Sequence, residues 1–229
     1  MRKLAIVGYG KMGKLIEQLA PQYDFEVALK LDEFNNANRE GLTKENFDGI
    51  EVAVEFSAPT AVPGNVKGIA GLGIPMVVGT TGWLQYREEL KGCVEACGTG
   101  LVWSPNFSIG VNVFMRLVAE AARLVNAEPE YGAWAWEIHH SAKKDAPSGT
   151  LLKLVDEMKK AGYARNIDIG SNRAGAIPGT HEIGFDSSAD TITLRHTARS
   201  REGFARGALK AAQWIAGHKG FYEFSEIAF

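Results

Sequence analysis

The sequence lacks the features that mark several large classes of protein. Its 229 residues include only two cysteines, Cys93 and Cys97, which are too few for a disulfide framework and which we interpret as small core residues. No run approaches the roughly 20 apolar residues that span a bilayer. The formal net charge of -2 gives no electrostatic reason for a nucleic-acid or membrane partner. These absences predict a soluble, cytoplasmic protein that acts on a small molecule.

The first third of the chain alternates short apolar runs with helical patterns. Strands are predicted at residues 4–7, 26–31, 52–56, 76–78 and 101–103, and helices at 13–20, 61–72 and 85–96. Such alternation is typical of repeated βαβ units. It predicts an α/β fold whose core is a Rossmann-type doubly wound parallel sheet, with a second, smaller α+β domain following it.

The rhythm changes after Asn106. The later elements are predicted as helices at 110–125 and 151–161, a strand at 131–139, an antiparallel hairpin at 181–185 and 191–198, and a last helix at 201–216. That last helix could return to cover the first sheet. We therefore predict a dinucleotide-binding domain of residues 1–107 completed by 201–229, and a substrate-binding and oligomerisation domain of residues 108–200.

A glycine-rich turn follows the first strand directly and opens a helix. It consists of Gly8, Tyr9, Gly10, Lys11, Met12 and Gly13. In a dinucleotide site Gly8 would permit the tight turn, Gly10 the approach of a pyrophosphate and Gly13 close helix packing. A structural turn without a ligand is the alternative for the motif alone. Asp32, which ends the second predicted strand, supplies the carboxylate that accepts hydrogen bonds from a ribose, and the two features together predict dinucleotide binding.

Two further loops follow later strands of this sheet, at the edge where ligands of such sheets bind. The first contains Gly79, Thr80, Thr81 and Gly82, and the second contains Ser104, Pro105, Asn106 and Phe107. Either loop taken singly is better interpreted as an ordinary turn, because these residue types are common turn formers.

The densest polar cluster runs from Glu137 to Thr150. Two histidines, two lysines and a Ser-Gly-Thr helix start would place a proton donor, cations and free backbone N–H groups around one spot. These groups suit the binding and protonation of a carboxylated substrate. Metal binding is the competing interpretation, and we predict no metal because no Cys, His or Glu lies at metal spacing nearby and adjacent strand residues point to opposite faces.

The same stretch carries the pattern E-x-H-H-x-x-K-x-D-A-P-S-G-T, and it resembles the signature of the dihydrodipicolinate reductase family. The segments GYGKMG, GTTG and PNFSIGVN follow that family's order, so the resemblance covers nearly the whole chain. It implies reduction of 4-hydroxy-tetrahydrodipicolinate to tetrahydrodipicolinate by hydride transfer from NAD(P)H, in the diaminopimelate route to lysine.

The resemblance also implies roles for individual residues. The cofactor would be contacted by Gly8 to Gly13, Asp32, Gly79 to Thr81 and Ser104 to Phe107. His139 would be the general acid with Lys143 as its partner, and the substrate's carboxylates would be held by His140, Lys143, Gly149 and Thr150. The family forms a homotetramer through the sheet of the middle domain, which would cover the face that carries Trp134 and Trp136; ordinary core packing is the alternative for these two tryptophans.

The sequence departs from the family pattern around the adenosine end. The region from Asn35 to Asn46 is short, and Glu33 follows Asp32 where members that use both cofactors often have Arg. A 2'-phosphate would meet two carboxylates, with only Lys11 and Lys30 near enough to offset them. We therefore expect NADH to be preferred over NADPH.

Two rival functions share the glycine turn. Another two-domain reductase, such as an aspartate-type or sugar dehydrogenase, has no evident need for the histidine and lysine cluster. An NADH-sensing regulator would need a basic DNA-binding module, and none is visible in the sequence.

Overall fold

The computed structural model describes residues 1–227. The chain forms two compact units. The first contains Met1–Ser108 together with the C-terminal segment that begins at Glu202, and the second contains Ile109–Arg201.

The first unit is built on a six-stranded parallel sheet. Its strands are β1 (Arg2–Val7), β2 (Phe25–Leu31), β3 (Val52–Glu55), β4 (Met76–Val78), β5 (Gly100–Trp103) and β10 (Gly220–Glu223). They lie in the order β10-β5-β4-β3-β1-β2, so the direction of winding reverses between β1 and β3. Ligands of doubly wound sheets bind outside the carboxyl ends of the strands at such a switch point.

Helices cover both faces of this sheet, as its buried strands require. They are α1 (Lys11–Leu19), α2 (Val62–Gly71), α3 (Arg87–Ala96), α6 (Glu202–Ile215) and the single turn α7 (Phe224–Ile227). Helix α2 packs beside α3, and α6 lies beside α1 and across β3, β4 and β5. The Rossmann-type sheet and the return of the last long helix to it are confirmed.

Strand β10 was missed by the sequence prediction. Its four residues are only half-buried, and it completes the sheet by pairing in parallel with β5. A short strand of mixed polarity at a sheet edge has no clear two-residue period, so only the tertiary structure reveals it.

The second unit contains a four-stranded sheet in the order β7-β6-β8-β9. Its strands are β6 (Gly132–His139), β7 (Ile167–Arg173), β8 (Thr180–Asp186) and β9 (Thr191–Thr197). The predicted hairpin is formed by β8 and β9, and β6 pairs with β8 antiparallel. The prediction of antiparallel pairing alone was incomplete: β7 went unrecognised and lies parallel to β6, which makes the sheet mixed.

Two helices, α4 (Ile109–Val125) and α5 (Gly149–Lys160), cover one face of this sheet. On β6 the residues Ala133, Ala135, Glu137 and His139 are buried on that side, and the residues between them are half-buried on the other. Trp134 and Trp136 belong to the outer set, so core packing was the wrong alternative for them. Trp136 donates a hydrogen bond to Asn172 Oδ1 at 2.6 Å on the neighbouring strand.

The cysteines differ from the prediction in one respect. Cys93 is half-buried against the core of the first unit, whereas Cys97 is exposed because it follows the last turn of α3. Over residues 1–227, every helix is too short or too polar to cross a membrane.

Candidate active site

The glycine-rich turn lies at the carboxyl end of β1. Gly8 has φ +99°, and a side chain there would collide with the carbonyl oxygen of Phe56. A Cβ at Gly13 would lie 2.6 Å from the oxygen of Gly8, so these two glycines are required by the protein's own packing. Gly10 differs, because a Cβ there would meet nothing within 4 Å. The space next to Gly10 is where a dinucleotide's phosphates fit.

A cavity of about 410 Å³ opens at the switch point between β1 and β3. The loop after β2 forms one wall, with Asp32 half-buried and its Oδ1 accepting the N–H of Phe34 at 2.9 Å. Among the residues that line this cavity, the charged side chains are Asp32 and Glu33. The Phe34 side chain is 87% exposed at the mouth.

A second cavity of about 450 Å³ adjoins the first at Gly10, Phe56 and Ser57. It brings together the two predicted cofactor loops, because it is lined by Gly10, Lys11 and Met12 and by Gly79, Thr80 and Thr81. The two lysines expected near the cofactor have different surroundings. Lys11 lines the cavity, whereas Lys30 pairs with Glu17 at 3.0 Å.

The third predicted cofactor loop, Ser104 to Phe107, lines neither of these two cavities. It follows β5 beside the loop after β4, and the N–H of Ser104 bonds to the oxygen of Val78 at 3.3 Å. Phe107 is buried between Phe56 and Phe224, with ring centroids 6.3 and 4.9 Å away. Phe107 therefore packs into the core of this unit.

Sequence reasoning missed a buried carboxylate beside the second cavity. Glu55 ends β3 with 0% exposure, and its oxygens accept hydrogen bonds from Thr80 Oγ1 at 2.6 Å, from Asn65 Nδ2 at 3.2 Å and from Ser57. Burial raises the pKa of Glu55. The signal available in the sequence was an acidic residue at the end of an apolar strand. In the structure, the hydrogen bonds of Glu55 link the loop after β3 to the loop after β4.

The polar cluster of the second unit is organised by β6 and the loop that follows it. His139 is the last residue of β6 and is 7% exposed. The loop returns to the same strand at Ser148, whose N–H bonds to Glu137 Oε1 at 2.8 Å. Ser148 also caps α5, because its Oγ accepts the N–H of Leu151 at 3.2 Å. The loop is thus fixed at both ends.

Glu137 is a second buried carboxylate, with 0% exposure and partners on three elements. Arg173 Nη2 donates to its Oε1 at 2.8 Å and Ser171 Oγ at 3.1 Å, both from β7, and the Ser148 hydroxyl donates to Oε2. Burial raises the pKa of Glu137, but the hydrogen bonds from Ser148 and Arg173 outweigh burial and hold that pKa below its ordinary value. Glu137 is ionised at neutral pH.

Two histidines flank this carboxylate. Nδ1 of His139 lies 3.5 Å from Glu137 Oε2, and Nε2 of His181 lies 3.4 Å from the same atom. Burial lowers the pKa of His139, with Glu137 opposing that effect, and burial lowers the pKa of His181 to about 4. In the free protein, desolvation therefore disfavours the imidazolium of His139.

Lys143, a cation of this cluster, forms an ion pair with Asp145 of the same loop. Lys143 Nζ lies 2.7 Å from Asp145 Oδ1. The hydrogen bond from Lys143, with a smaller contribution from the backbone of Gly149, holds the pKa of Asp145 below its ordinary value. Gly149 and Thr150 form the first turn of α5, and His140 is half-buried at the start of the loop. Asp145 thus occupies a position suited to a substrate carboxylate.

The structure also corrects the prediction that no residues at metal-ligand spacing lie near this loop. Ligand atoms of Glu137, His139 and His181 all lie within 4.8 Å of one another, because Glu137 and His181 face each other across β6 and β8. Both oxygens of Glu137 are already engaged by Ser148 and by Arg173, and a guanidinium this close opposes a divalent cation. The arrangement is that of a hydrogen-bonded network.

Comparison with protein families gives the same result for both parts of the chain. The model described as "Dihydrodipicolinate reductase, N-terminus" matches residues 2–107, and "Dihydrodipicolinate reductase, C-terminus" matches residues 110–227. The chain belongs to the dihydrodipicolinate reductase family. The family's N-terminal part is a nucleotide-binding domain, consistent with NAD(P)H.

Curated relatives and a solved structure agree with this family. A 4-hydroxy-tetrahydrodipicolinate reductase from Christiangramia forsetii is 34% identical over 98% of this chain and 96% of its own. One from Methanosarcina acetivorans is 32% identical over 99% of both chains. The dipicolinate-bound dihydrodipicolinate reductase from Paenisporosarcina sp. TG-14 has a TM-score of 0.82 at 22% identity, over 99% of both chains, and shows that the fold is shared.

Proposed function

We propose that this chain is a 4-hydroxy-tetrahydrodipicolinate reductase, which uses NAD(P)H to form tetrahydrodipicolinate in the diaminopimelate route to lysine. The observation that carries the proposal is the cluster at the end of β6, where a buried histidine, a lysine and a helix N-terminus come together in a member of this family. The first unit serves as the dinucleotide-binding domain and the second as the substrate-binding domain.

The first unit binds the cofactor through the turn Gly8 to Gly13, with the pyrophosphate beside Gly10 and the adenosine ribose on Asp32. The loop Gly79 to Thr81 contacts the nicotinamide half, and Ser104 to Phe107 support that loop from β5. When bound, the nicotinamide supplies the hydride. NADH is preferred over NADPH, since the charged side chains lining the adenosine cavity are both carboxylates.

The second unit binds the dicarboxylate substrate. Lys143 exchanges Asp145 for a substrate carboxylate, and the N–H groups of Gly149 and Thr150 donate hydrogen bonds to the same carboxylate at the positive end of α5. His140 contacts a carboxylate from the start of the loop. A helix N-terminus and one lysine together favour an anion over a neutral substrate.

The substrate is reduced as its dehydrated, conjugated form, from which the 4-hydroxyl has left as water. The hydride adds to this form, and His139 delivers the proton to the carbon next to the reduced one. In the free protein its imidazolium is disfavoured by burial and by the charge of Lys143. One carboxylate of a bound dianion replaces Asp145 on Lys143, and the second brings additional negative charge close to the ring, which favours the protonated imidazole. The proton donor is therefore charged mainly when substrate is present.

The outer face of the second unit's sheet forms a homotetramer contact with further copies of the chain. Trp134 and Trp136 lie on this face, where they are half-buried and pair in register with Gly184 and Gly170 of the neighbouring strands. Tryptophan is enriched at protein interfaces. Light scattering should give four chains per particle, and Trp136→Arg should reduce that number.

The test of the proposed function is a coupled assay. The purified protein is mixed with NADH and with freshly made product of the synthase that forms 4-hydroxy-tetrahydrodipicolinate, and loss of absorbance by the reduced nicotinamide is followed. Rapid oxidation that depends on the synthase product supports the proposal. Oxidation with an amino-acid or sugar substrate instead would favour another dehydrogenase, and tight NADH binding without oxidation would favour a regulator.

A further inference from the structure

One buried carboxylate connects the proton donor to the anion site. We propose that Glu137 is a positioning residue for catalysis: it directs the Nδ1 edge of His139 inward and, through Ser148, fixes the start of α5. This inference rests on the proposed function, because it assigns a role to the residue behind the proton donor.

The two edges of the His139 ring face different surroundings. Nδ1 is buried and makes no regular hydrogen bond within residues 1–227, and Glu137 Oε2 lies 3.5 Å from it. Nε2 faces the space that Gly179 leaves by having no side chain, since a Cβ there would lie 2.9 Å away. A small tightening would make Nδ1–H donate to the carboxylate, as catalytic hydrogen bonds do on binding. Nε2 then becomes the nitrogen that exchanges a proton with substrate.

Glu137 also determines how readily His139 takes up a proton. The other charged or titratable groups near the ring are Lys143 and Asp145 in the loop, Arg173 on β7 and His181 on β8, with His196 on β9 beside His181. His181 remains neutral, and Lys143 and Arg173 both oppose a further positive charge. Glu137 is the buried negative charge that offsets them. Its loss would remove that charge and leave the Arg173 guanidinium unpaired, and both changes disfavour the imidazolium.

The same carboxylate holds the anion site in place. Both the N–H and the hydroxyl of Ser148 donate to Glu137, and Ser148 caps the helix whose next two residues are Gly149 and Thr150. The distance between the proton donor and the carboxylate-binding N–H groups is therefore set by one side chain. A positioning role of this kind resembles that of the aspartate behind the histidine in serine proteases.

The first test uses the parent protein and no substrate. Nitrogen-15 NMR of the imidazole rings at pH 8 distinguishes the two neutral tautomers, and His139→Asn identifies the His139 signals among the five histidines. We expect His139 to carry its proton on Nδ1. A neutral ring with the proton on Nε2 would overturn the proposal whatever the enzyme's activity.

The second test compares Glu137→Gln with Glu120→Gln, a matched change on helix α4 of the same unit, where Glu120 pairs with Arg123 at 2.6 Å. Glu137→Gln should shift the alkaline limb of the kcat profile to lower pH by about one unit, so that its loss of kcat is about fivefold greater at pH 8 than at pH 6. Glu120→Gln should keep the parent profile, and so should the charge-preserving Glu137→Asp, at reduced kcat.

These outcomes separate the inference from the proposed function. A parent protein that does not reduce the substrate would refute the function. An active parent, together with a folded Glu137→Gln variant that loses kcat equally at every pH, would show that Glu137 only supports the structure. Calorimetric NADH affinity should be the same in all variants, because Glu137 lies in the second unit.

Discussion

Gly179→Ala places one methyl group directly against the proposed proton donor. Gly179 precedes β8 with φ +148°, and a Cβ built on it would lie 2.9 Å from Nε2 and 3.0 Å from Cδ2 of His139. Carbon atoms in van der Waals contact are about 3.5 to 4.0 Å from their neighbours. The imidazole must therefore move by roughly 0.5 to 1 Å, or the β8 backbone must yield.

The expected cost has two parts. The backbone conformation at Gly179 disfavours a side chain, which lowers the free energy of unfolding by about 1 to 3 kcal/mol. Displacement of a catalytic group by about 1 Å can reduce the rate by on the order of 100-fold. We therefore expect kcat to fall by between about 10- and 100-fold, with NADH affinity unchanged because Gly179 lies in the second unit.

Gly175→Ala is the matched control. Gly175 also has a positive φ, +51°, but a Cβ there would meet nothing within 4 Å. Both variants are compared by chemical denaturation, by calorimetry with NADH and by steady-state kinetics. Gly175→Ala should lose stability and keep kcat within about threefold of the parent. If Gly179→Ala is folded and has the kcat of Gly175→Ala, His139 is not the residue that protonates the substrate.

Five other variants test separate parts of the site. His139→Ala should lower kcat by roughly 10²- to 10⁴-fold without changing the calorimetric NADH affinity. Lys143→Ala should lower kcat and also raise the substrate KM, because it removes a cation that contacts the bound carboxylate. Parent-like kcat for His139→Ala would move the proton transfer elsewhere. Gly10→Val should abolish NADH binding, because the valine side chain fills the open space beside the turn, while the second unit remains folded. An NADH affinity equal to that of the parent in calorimetry would contradict the assignment of that turn. The parent should prefer NADH over NADPH by tenfold or more in kcat/KM. Glu33→Arg should move this ratio toward NADPH by about 30-fold, because reversing one exposed charge at about 4 Å from the 2'-phosphate is worth about 2 kcal/mol. Equal use of both cofactors by the parent would refute the argument. The pKa of His181 is lowered to about 4 in the folded protein from 6.5. Between these two pH values the unfolded chain binds more protons than the folded protein, so the free energy of unfolding should decrease as pH falls from 6.5 to 4. Denaturation curves of the parent and of His181→Gln measure this decrease. The free energy of unfolding of His181→Gln should depend less on pH.

The parts of the fold predicted most accurately are those with a strong local period. Strand β1 is apolar from Leu4 to Val7 and is followed at once by the glycine turn, so its position and its role at the sheet edge follow from neighbouring residues. Adjacent residues of the strand predicted at 131–139 point to opposite faces, so Glu137 and His139 share a face of β6, and both are buried. In both places the pattern that determines the structure lies within a few consecutive residues.

Elements that depend on distant partners were missed. Strand β7 exposes most of its residues and is stabilised by pairing with β6, and β10 pairs with a strand more than 100 residues earlier in the chain. Arg173 and His181 were missed as members of the site for the same reason. Nothing in their local sequence indicates that both reach Glu137, and only the register of three strands brings them there.

The sequence by itself determined the nucleotide turn and the family signature, and it supplied the residues proposed to carry the chemistry, because these are contiguous motifs. Only the tertiary structure decided the charge states within the site. Burial disfavours the imidazolium of His139, Asp145 pairs with Lys143, and Glu137 becomes a buried anion with partners on three elements. Desolvation and long-range contacts depend on what surrounds a group, and the sequence does not specify those surroundings until the chain has folded.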